Sequence, residues 1–382
     1  MRWHPMRGIN LAILLFAFAA SATAQNVLTV GEFDRYLAGI EHARDGQAAG
    51  RIAGVTLKER ASPGDLARWQ AEFRGQKARE ALTAVVDVAE FVEWPASAPA
   101  DAPAPPMAVQ SETIVRAVSY VKETLHRLPN LLAVRTTTRF QITSRQQIDA
   151  QVEALKINTL STWQPDYVSL GAMNADVLFL VGTWQHVVTY RDGKETAQSQ
   201  VGKNRHPQPL GLETTGEFGP ILATVLGDAL RGTIKWSHWE QGASGQLAVF
   251  YYDVPQKASH YVVENAVSRS IELPAYHGEL AIDPETGTIY RITMTAEGSK
   301  SSSARESNMS LEYGPVEIGG KTYVCPLHGV AYTQARLVDA MGKQMPEVGQ
   351  AKDDPRYLND TTFTQYQLFR SEVRILTGDP PQ

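Results

Sequence analysis

The stretch GELAIDPETGTIYRITMTAEG, residues 278–298, decides the fold class. Apolar residues alternate with polar ones on both sides of the corner at 283–287, which is the pattern of half-buried β-strands. Asp283, Pro284 and Gly287 are the residues that a type I turn followed by a left-handed glycine requires. A calcium loop does not fit, because Gly287 is at the fifth position and Met294 replaces the bidentate glutamate. We therefore predict a β-hairpin with a structural turn.

Strand patterns recur through most of the chain after residue 130. They predict a strand at 131–143, hairpins turning at 192–193, 242–245 and 319–320, and a last strand at 361–376. A helix at 217–230 interrupts the series. The segment LAVFYYDV, residues 247–254, is apolar on both faces, so both of its sides must be covered. The fold predicted is α+β: a large, curved, half-barrel-like antiparallel sheet with a packed helix, preceded by a helical region.

The chain before the sheet divides by composition. Residues 1–24 form a signal peptide, 25–93 a helical region, 94–106 a Pro/Ala-rich linker with five prolines, and 107–382 a helix plus the antiparallel β domain. In the helical region, Thr29 with Glu32 fits a capping box, and Ser62 fits a helix N-cap. A further helix is predicted at 111–127.

The N-terminus has the features of an export signal. Arg2 and Arg7 precede an apolar run at 9–20, and small residues at Ala22 and Ala24 place cleavage after Ala24. No later segment is long and apolar enough to span a membrane, so we expect a mature chain without a transmembrane segment, in the periplasm or outside the cell. Loss of both arginines changes the formal net charge from -5 to -7, which argues against a nucleic-acid partner.

Two His–Glu pairs offer possible acid–base chemistry. His238 with Glu240, and His277 with Glu279, are two residues apart, so each pair shares one face of a strand. A structural pairing is the alternative for both. Cys325 is expected to be a buried apolar residue, although His328 follows it closely enough to raise the question of an activated thiol.

The chain lacks the recognised catalytic and cofactor motifs. It contains no His-Glu-x-x-His sequence, no Gly-x-Ser-x-Gly elbow, no P-loop and no dinucleotide fingerprint. We therefore assign no catalytic residue, no metal ligand and no cofactor, and an enzyme is the less favoured reading.

Aromatic residues concentrate around the 242–245 hairpin and the 217–230 helix. Core packing explains them; the alternative is the wall of an apolar pocket under that helix. If these residues form the wall of an apolar pocket, the predicted ligand-binding residues are Trp236, Trp239, Phe250, Tyr252, Phe218 and Leu222.

Several blocks resemble an uncharacterised family of secreted bacterial proteins. They are LPNLLAVRTTTRF, FGPILATVLGDALRGTIKWSHWE, GELAIDPETGTIYRITM, LEYGPVEIGGKTYVCP and the helical LARWQAEFRGQKAREALTAVVDVAEFV. The pattern around AIDPETGTIYRI is also similar to outer-membrane lipoprotein carriers of the LolA type, in the β region alone. That resemblance implies an open half-barrel that holds acyl chains against helices.

Three functions follow, in order of preference. The first is non-catalytic binding of an apolar or lipidic ligand, as in a lipid or lipoprotein carrier. The second is a structural or protein-interaction module of the cell envelope, in which the helical region and the linker contact a protein partner. The third is a hydrolase that uses His238 or His277.

Overall fold

A computed structural model describes most of the chain. The described residues are 26–92, 103–144, 176–198, 214–242, 245–264, 271–298, 304–335 and 356–369. The predicted signal peptide and most of the predicted Pro/Ala-rich linker lie outside these residues.

A ten-stranded antiparallel sheet dominates the described chain and is not closed into a barrel. Its strands are β3 (Leu131–Ser144), β4 (Asp176–Arg191), β5 (Lys194–Gln198), β6 (Thr233–Gly242), β7 (Gly245–Val254), β10 (Tyr276–Ile282), β11 (Ile289–Glu297), β12 (Ala304–Ile318), β13 (Lys321–Ala335) and β14 (Arg356–Leu368). Two small sheets pair β1 (Asn26–Leu28) with β2 (Val55–Leu57) and β8 (Val263–Glu264) with β9 (Ile271–Glu272). The predicted α+β class is confirmed.

The strand order combines hairpins with one long-range closure. Across the sheet it is β5-β4-β3-β14-β13-β12-β11-β10-β7-β6, so the last strand pairs with the first long one. Each predicted hairpin forms. At the 192–193 and 319–320 turns both central residues have positive φ, which two-residue turns of the mirror-image type require. The last strand begins at Arg356, five residues before the sequence pattern placed it.

Six helices accompany the sheet in the described residues. They are α1 (Val30–Ala38), α2 (Asp45–Ala53), α3 (Pro63–Glu72), α4 (Gln76–Ala89), α5 (Met107–Arg127) and α6 (Pro220–Ala229). The predicted capping box joins Thr29 and Glu32, and Ser62 caps α3. The sequence reading missed α2, β1 and β2, because their short segments carry little periodicity. None of the described helices has the length and apolar character needed to cross a membrane.

Alternation along the strands gives the large sheet two different faces. One face, the α5–α6 face, buries an apolar core that includes Phe250, Leu280, Ile292 and Leu311 beneath α5 and α6. The other, the α4 face, packs Phe140, Val330 and Leu358 against Ala84 of α4. Apolar burial on both faces provides the main driving force for this arrangement.

The 283–287 corner is a structural turn, as predicted. The Asp283 carboxylate accepts backbone N–H bonds from Glu285 at 2.8 Å and Thr286 at 3.1 Å, and Gly287 has φ +75°. Arg116 of α5 donates to the Pro284 carbonyl at 2.6 Å. A Cβ added at Gly287 would lie 2.4 Å from the Arg116 carbonyl carbon, so the turn also seats α5.

Replacement of Gly287 by alanine tests whether this glycine is needed for its positive φ alone or also for its close contact with α5. Positive φ alone costs an L-residue about 1–2 kcal/mol. Gly320 has φ +78° with open space around its Cβ position, so Gly320→Ala is a matched control for that cost. We expect Gly287→Ala to lower the urea-derived free energy of unfolding by clearly more than Gly320→Ala. Equal losses would show that α5 does not depend on this contact.

Candidate functional site

Ionisable side chains cross the α4 face of the sheet in a row. The strands β6, β10, β11, β12, β13 and β14 each contribute one of them. Two more come from α4 and the residues after it, and the last comes from the segment between β2 and α3. We call this set the charge belt; it comprises Arg60, Asp87, Glu90, Glu240, Glu279, Arg291, Glu312, His328 and Asp360. Six members are carboxylic acids and three are cations, so the acids are in excess.

Arg291 of β11 lies at the centre of the charge belt. It is 9% exposed and holds Glu240 of β6 through two parallel bonds, one of them at 2.6 Å. Burial opposes ionisation of Glu240, but the neighbouring His238 and the hydrogen bonds from Arg291 outweigh it and lower the Glu240 pKa. Glu240 is therefore a permanent anion paired with an arginine, which is a structural role.

A second arginine joins the helical region to the sheet. Arg60 donates to Glu279 of β10 at 2.7 Å and to the Glu90 carbonyl at 2.9 Å. His277, the predicted partner of Glu279, instead lies against Tyr251, with ring centroids 5.9 Å apart and ring planes tilted by 34°. His238 lies 3.8 Å from Glu240, as the shared face predicts. Glu240 and Glu279 are thus each paired with an arginine, and the spacing of residues in the sequence predicted neither arginine.

The acidic end of the charge belt lies where α4 meets β13 and β14. His328 Nε2 is 2.8 Å from an Asp360 oxygen, and His328 Nδ1 is 3.8 Å from a Glu312 oxygen. Asp87 of α4 is 1% exposed, and one ligand atom from each of Asp87, His328 and Asp360 lies within 4.8 Å of the other two. The Asp87 Oδ2 atom makes no hydrogen bond within the described chain.

Burial and neighbouring charges raise the pKa values of side chains at the acidic end of the charge belt. Burial, followed by the charge of Asp360, raises the Asp87 pKa well above its ordinary value. Burial also raises the Glu90 pKa, although Arg291 partly opposes it. Burial lowers the His328 pKa, but the bond to Asp360 and the charge of Asp87 outweigh it and raise that pKa to about 10. His328 is therefore protonated and positively charged at neutral pH, with acidic side chains around it.

Cys325 and His328 do not form a nucleophile–base pair. Cys325 is fully buried in an apolar cluster with Leu131, Tyr190 and Phe363, and burial raises its thiol pKa to about 12. A thiol of that pKa stays protonated at neutral pH and is unreactive. The predicted role of Cys325 as a buried apolar residue is confirmed.

A second cluster of acids lies at the entry to α6. The Glu195 carboxylate accepts N–H bonds from Gly216 at 3.0 Å and Phe218 at 3.5 Å. Glu217 is fully buried, accepts from Thr214 at 2.6 Å and lies 3.4 Å from Arg135. Burial and the Glu217 charge raise the Glu195 pKa to about 8, whereas Arg135 lowers that of Glu217 against the effect of burial. The pair holds one proton and fixes the start of α6.

Five of the six predicted ligand-binding residues lie together on the α5–α6 face. Phe250, Tyr252 and Leu222 are buried, and Trp236 and Trp239 are partly buried against the same core. A β-bulge between Trp236 and His238 places both tryptophans on one face, although they are three residues apart. Phe218 belongs to a separate cluster with Tyr190 and Phe363.

The two tryptophans lie at an edge of the sheet. Their ring centroids are 4.8 Å apart, and Trp236 meets Phe250 edge-to-face at 5.6 Å. Trp239 Nε1 donates to the Pro103 carbonyl at 3.1 Å, so the segment leading into α5 crosses over the pair. Because β6 is the last strand in the order, this aromatic group lies at the rim of the apolar core.

Two cavities lie elsewhere. A groove of about 620 Å³ in the helical region is lined partly by charged residues, among them Glu41, Asp45, Glu72 and Arg74. A cavity of about 90 Å³ between β2, α4 and the sheet is mainly apolar. The first has the wrong polarity for an apolar ligand, and the second is about the volume of three liquid waters.

Comparisons with known proteins leave the family open. No family model matches this sequence, and no curated protein matches it. The structure is similar to the crystal structure of LolA superfamily protein NE2245 from Nitrosomonas europaea, with 9% identity and a TM-score of 0.25, over 69% of this chain and 97% of that chain. At that TM-score, fold and function must be argued from the residues of this chain.

Removal of the Arg60 side chain tests how the helical region is attached. Arg60→Ala leaves the buried Glu279 carboxylate without its partner, which typically costs about 3–5 kcal/mol. We expect a loss of that size in urea unfolding. Arg127 with Glu123 is a matched exposed pair, with side chains 75% and 57% exposed. Arg127→Ala should change stability by less than about 1 kcal/mol, and a similar loss in both variants would contradict the attachment.

Glu195→Gln tests the shared proton by its pH dependence. Between pH 4.5 and about 8 the folded protein keeps a proton on Glu195 that the unfolded chain has released. Stability from this group is therefore greatest at low pH and is lost as pH rises through that window. The free energy of unfolding of Glu195→Gln, relative to wild type, should increase from pH 5 to pH 8. A difference independent of pH, or the same trend in exposed Glu123→Gln, would contradict the shared proton.

Proposed function

We propose that this chain is an exported, non-catalytic protein that binds an apolar or lipidic ligand between the α5–α6 face of the sheet and helices α5 and α6. The observation that carries the proposal is that these two helices, and not a second sheet, cover an apolar surface contributed by β7, β10, β11 and β12. A helix can be displaced from such a surface as a unit, which would expose the apolar side chains to a ligand.

The edge aromatic group supports the same proposal. Trp236 and Trp239 are the least buried members of the predicted ligand set, and they lie where the chain enters α5. Large aromatic side chains with a polar N–H are common where an apolar site meets water. The two tryptophans therefore suit the entrance of the site, while Phe250 and Tyr252 suit its floor.

Polar contacts hold α5 and α6 on the sheet, and displacement of a helix by a ligand would break them. Arg116 bonds the 283–287 turn from α5, and the Glu195–Glu217 pair holds the start of α6. The export signal predicted at 1–24 is the basis for proposing a periplasmic or extracellular location for the mature protein. The alternative, an envelope interaction module with a protein partner, would act in the same place.

Native mass spectrometry with solvent extraction tests the proposal on protein purified from its exporting cell without detergent. We expect a lipid or other apolar molecule at near-stoichiometric level. A clean mass, together with no binding of a dansyl-labelled fatty acid, would overturn the proposal and favour the interaction module.

A variant pair locates the binding. Trp236→Ala with Trp239→Ala should weaken binding of the dansyl-labelled fatty acid by about tenfold or more, since 1.4 kcal/mol of lost apolar contact corresponds to a factor of ten. Tyr251→Ala is the matched control, because Tyr251 lies on the same hairpin but on the opposite face, against His277. Equal affinity in the double variant and the control would place the ligand elsewhere.

A further inference from the structure

We propose that Asp87, His328 and Asp360 form a binding site for a divalent transition-metal ion, and that Zn²⁺ is the ion they fit best. The proposal is independent of the apolar ligand, since the three side chains lie on the α4 face and the ligand-binding residues lie on the opposite face.

The geometry is close to that of a metal site. One ligand atom of each residue lies within 4.8 Å of the other two. Ligand atoms around a tetrahedral zinc are about 3.4 Å apart, since each bond is about 2.0–2.2 Å long. His328 Nε2 and Asp360 Oδ1, at 2.8 Å, are already within that spacing. Approach of the Asp87 carboxylate to the other two would give a zinc ion three protein ligands and leave the fourth position for water.

Asp87 provides the independent sign of a ligand. Its side chain is 1% exposed, its Oδ2 atom makes no hydrogen bond within the described chain, and it faces a histidine and a second aspartate. A buried carboxylate oxygen without a partner costs free energy that a metal–oxygen bond removes.

The charge of the surroundings also favours a dication. The charge belt contains six carboxylic acids, and its arginines are engaged elsewhere: Arg291 with Glu240 and Arg60 with Glu279. His328 alone remains as a cation among Asp87, Glu312 and Asp360. A dication bound between these side chains places positive charge where acids are in excess, and its ligands release the protons they hold when it binds.

Orientation and access complete the site. Glu312 lies 3.8 Å from His328 Nδ1, the nitrogen not bonded to Asp360, on the side from which carboxylates orient metal-bound histidines. The side chains of His328 and Asp360 are 29% and 17% exposed, which gives an ion a path from solvent while Asp87 closes the inner side. A nitrogen ligand with carboxylates selects zinc and similar ions over magnesium and calcium.

Calorimetric titration with zinc chloride of protein dialysed against a chelator tests the site. We expect one Zn²⁺ per chain and a rise in the thermal unfolding midpoint. Asp87→Asn keeps the side-chain shape, removes the buried charge, and should weaken Zn²⁺ binding by about 100-fold, the upper end of losses seen even for outer partners of a metal. Asp360→Asn should act in the same direction and serves if the first variant does not fold.

A control variant and a spectrum distinguish this site from surface binding. Asp228 and His260 form a second Asp–His contact at 2.6 Å, with His260 64% exposed, so His260→Asn should leave Zn²⁺ affinity unchanged. X-ray absorption of the zinc-loaded wild type should show a nitrogen/oxygen shell at about 2.0–2.1 Å with histidine scattering. Absence of stoichiometric binding, equal affinity in both aspartate variants and wild type, loss of binding in His260→Asn, or a sulfur shell would each overturn the proposal.

Discussion

Burial of charge beneath α4 is the constraint on which the rest of the structure depends. The helix packs on the sheet through Ala84 against Phe140, Val330 and Leu358, and the same packing buries Asp87 beside the charged residues of β13 and β14. A buried ion pair stabilises little by itself, but a buried charge without a partner is costly. Each strand must therefore present its charged residue at the correct position, which fixes the register across the sheet.

Register matters here because side chains alternate between two faces. Arg291 and Ile292 are neighbours in sequence, yet one belongs to the charge belt and the other to the core beneath α5 and α6. A slip of one residue would place the arginine in the apolar core and the isoleucine among carboxylates. The bulges near Trp236, Ile282 and Tyr313 shift the alternation of side chains locally, so that residues beyond each bulge lie on the face that they require.

The elements that follow local rules could be predicted from the sequence. Alternation and turn residues predicted the hairpins, and spacing predicted that His238 and Glu240 share a face. The partners could not be predicted, because Arg60 and Glu279 are 219 residues apart, and Arg291 reaches Glu240 across two intervening strands. The pairing of β3 with β14 and the meeting of Asp87 with His328 likewise depend on tertiary packing. The local sign of the candidate metal site was an aspartate, Asp87, within the apolar run at the C-terminal end of the helix QKAREALTAVVDVA.

The Glu195–Glu217 cluster and the charge belt differ in how the charge of their buried acids is compensated. Glu195 and Glu217 hold one proton, and backbone N–H groups, Thr214 and Arg135 satisfy much of the remaining demand. That arrangement uses the acids to fix α6, and it explains their burial as structural. In the charge belt, Arg291 and Arg60 satisfy Glu240 and Glu279 in the same way. The end at Asp87 differs, because the cation among its three acids is a histidine and not an arginine. The excess of acidic groups is therefore local to this end of the charge belt, and a dication bound by Asp87, His328 and Asp360 would compensate it.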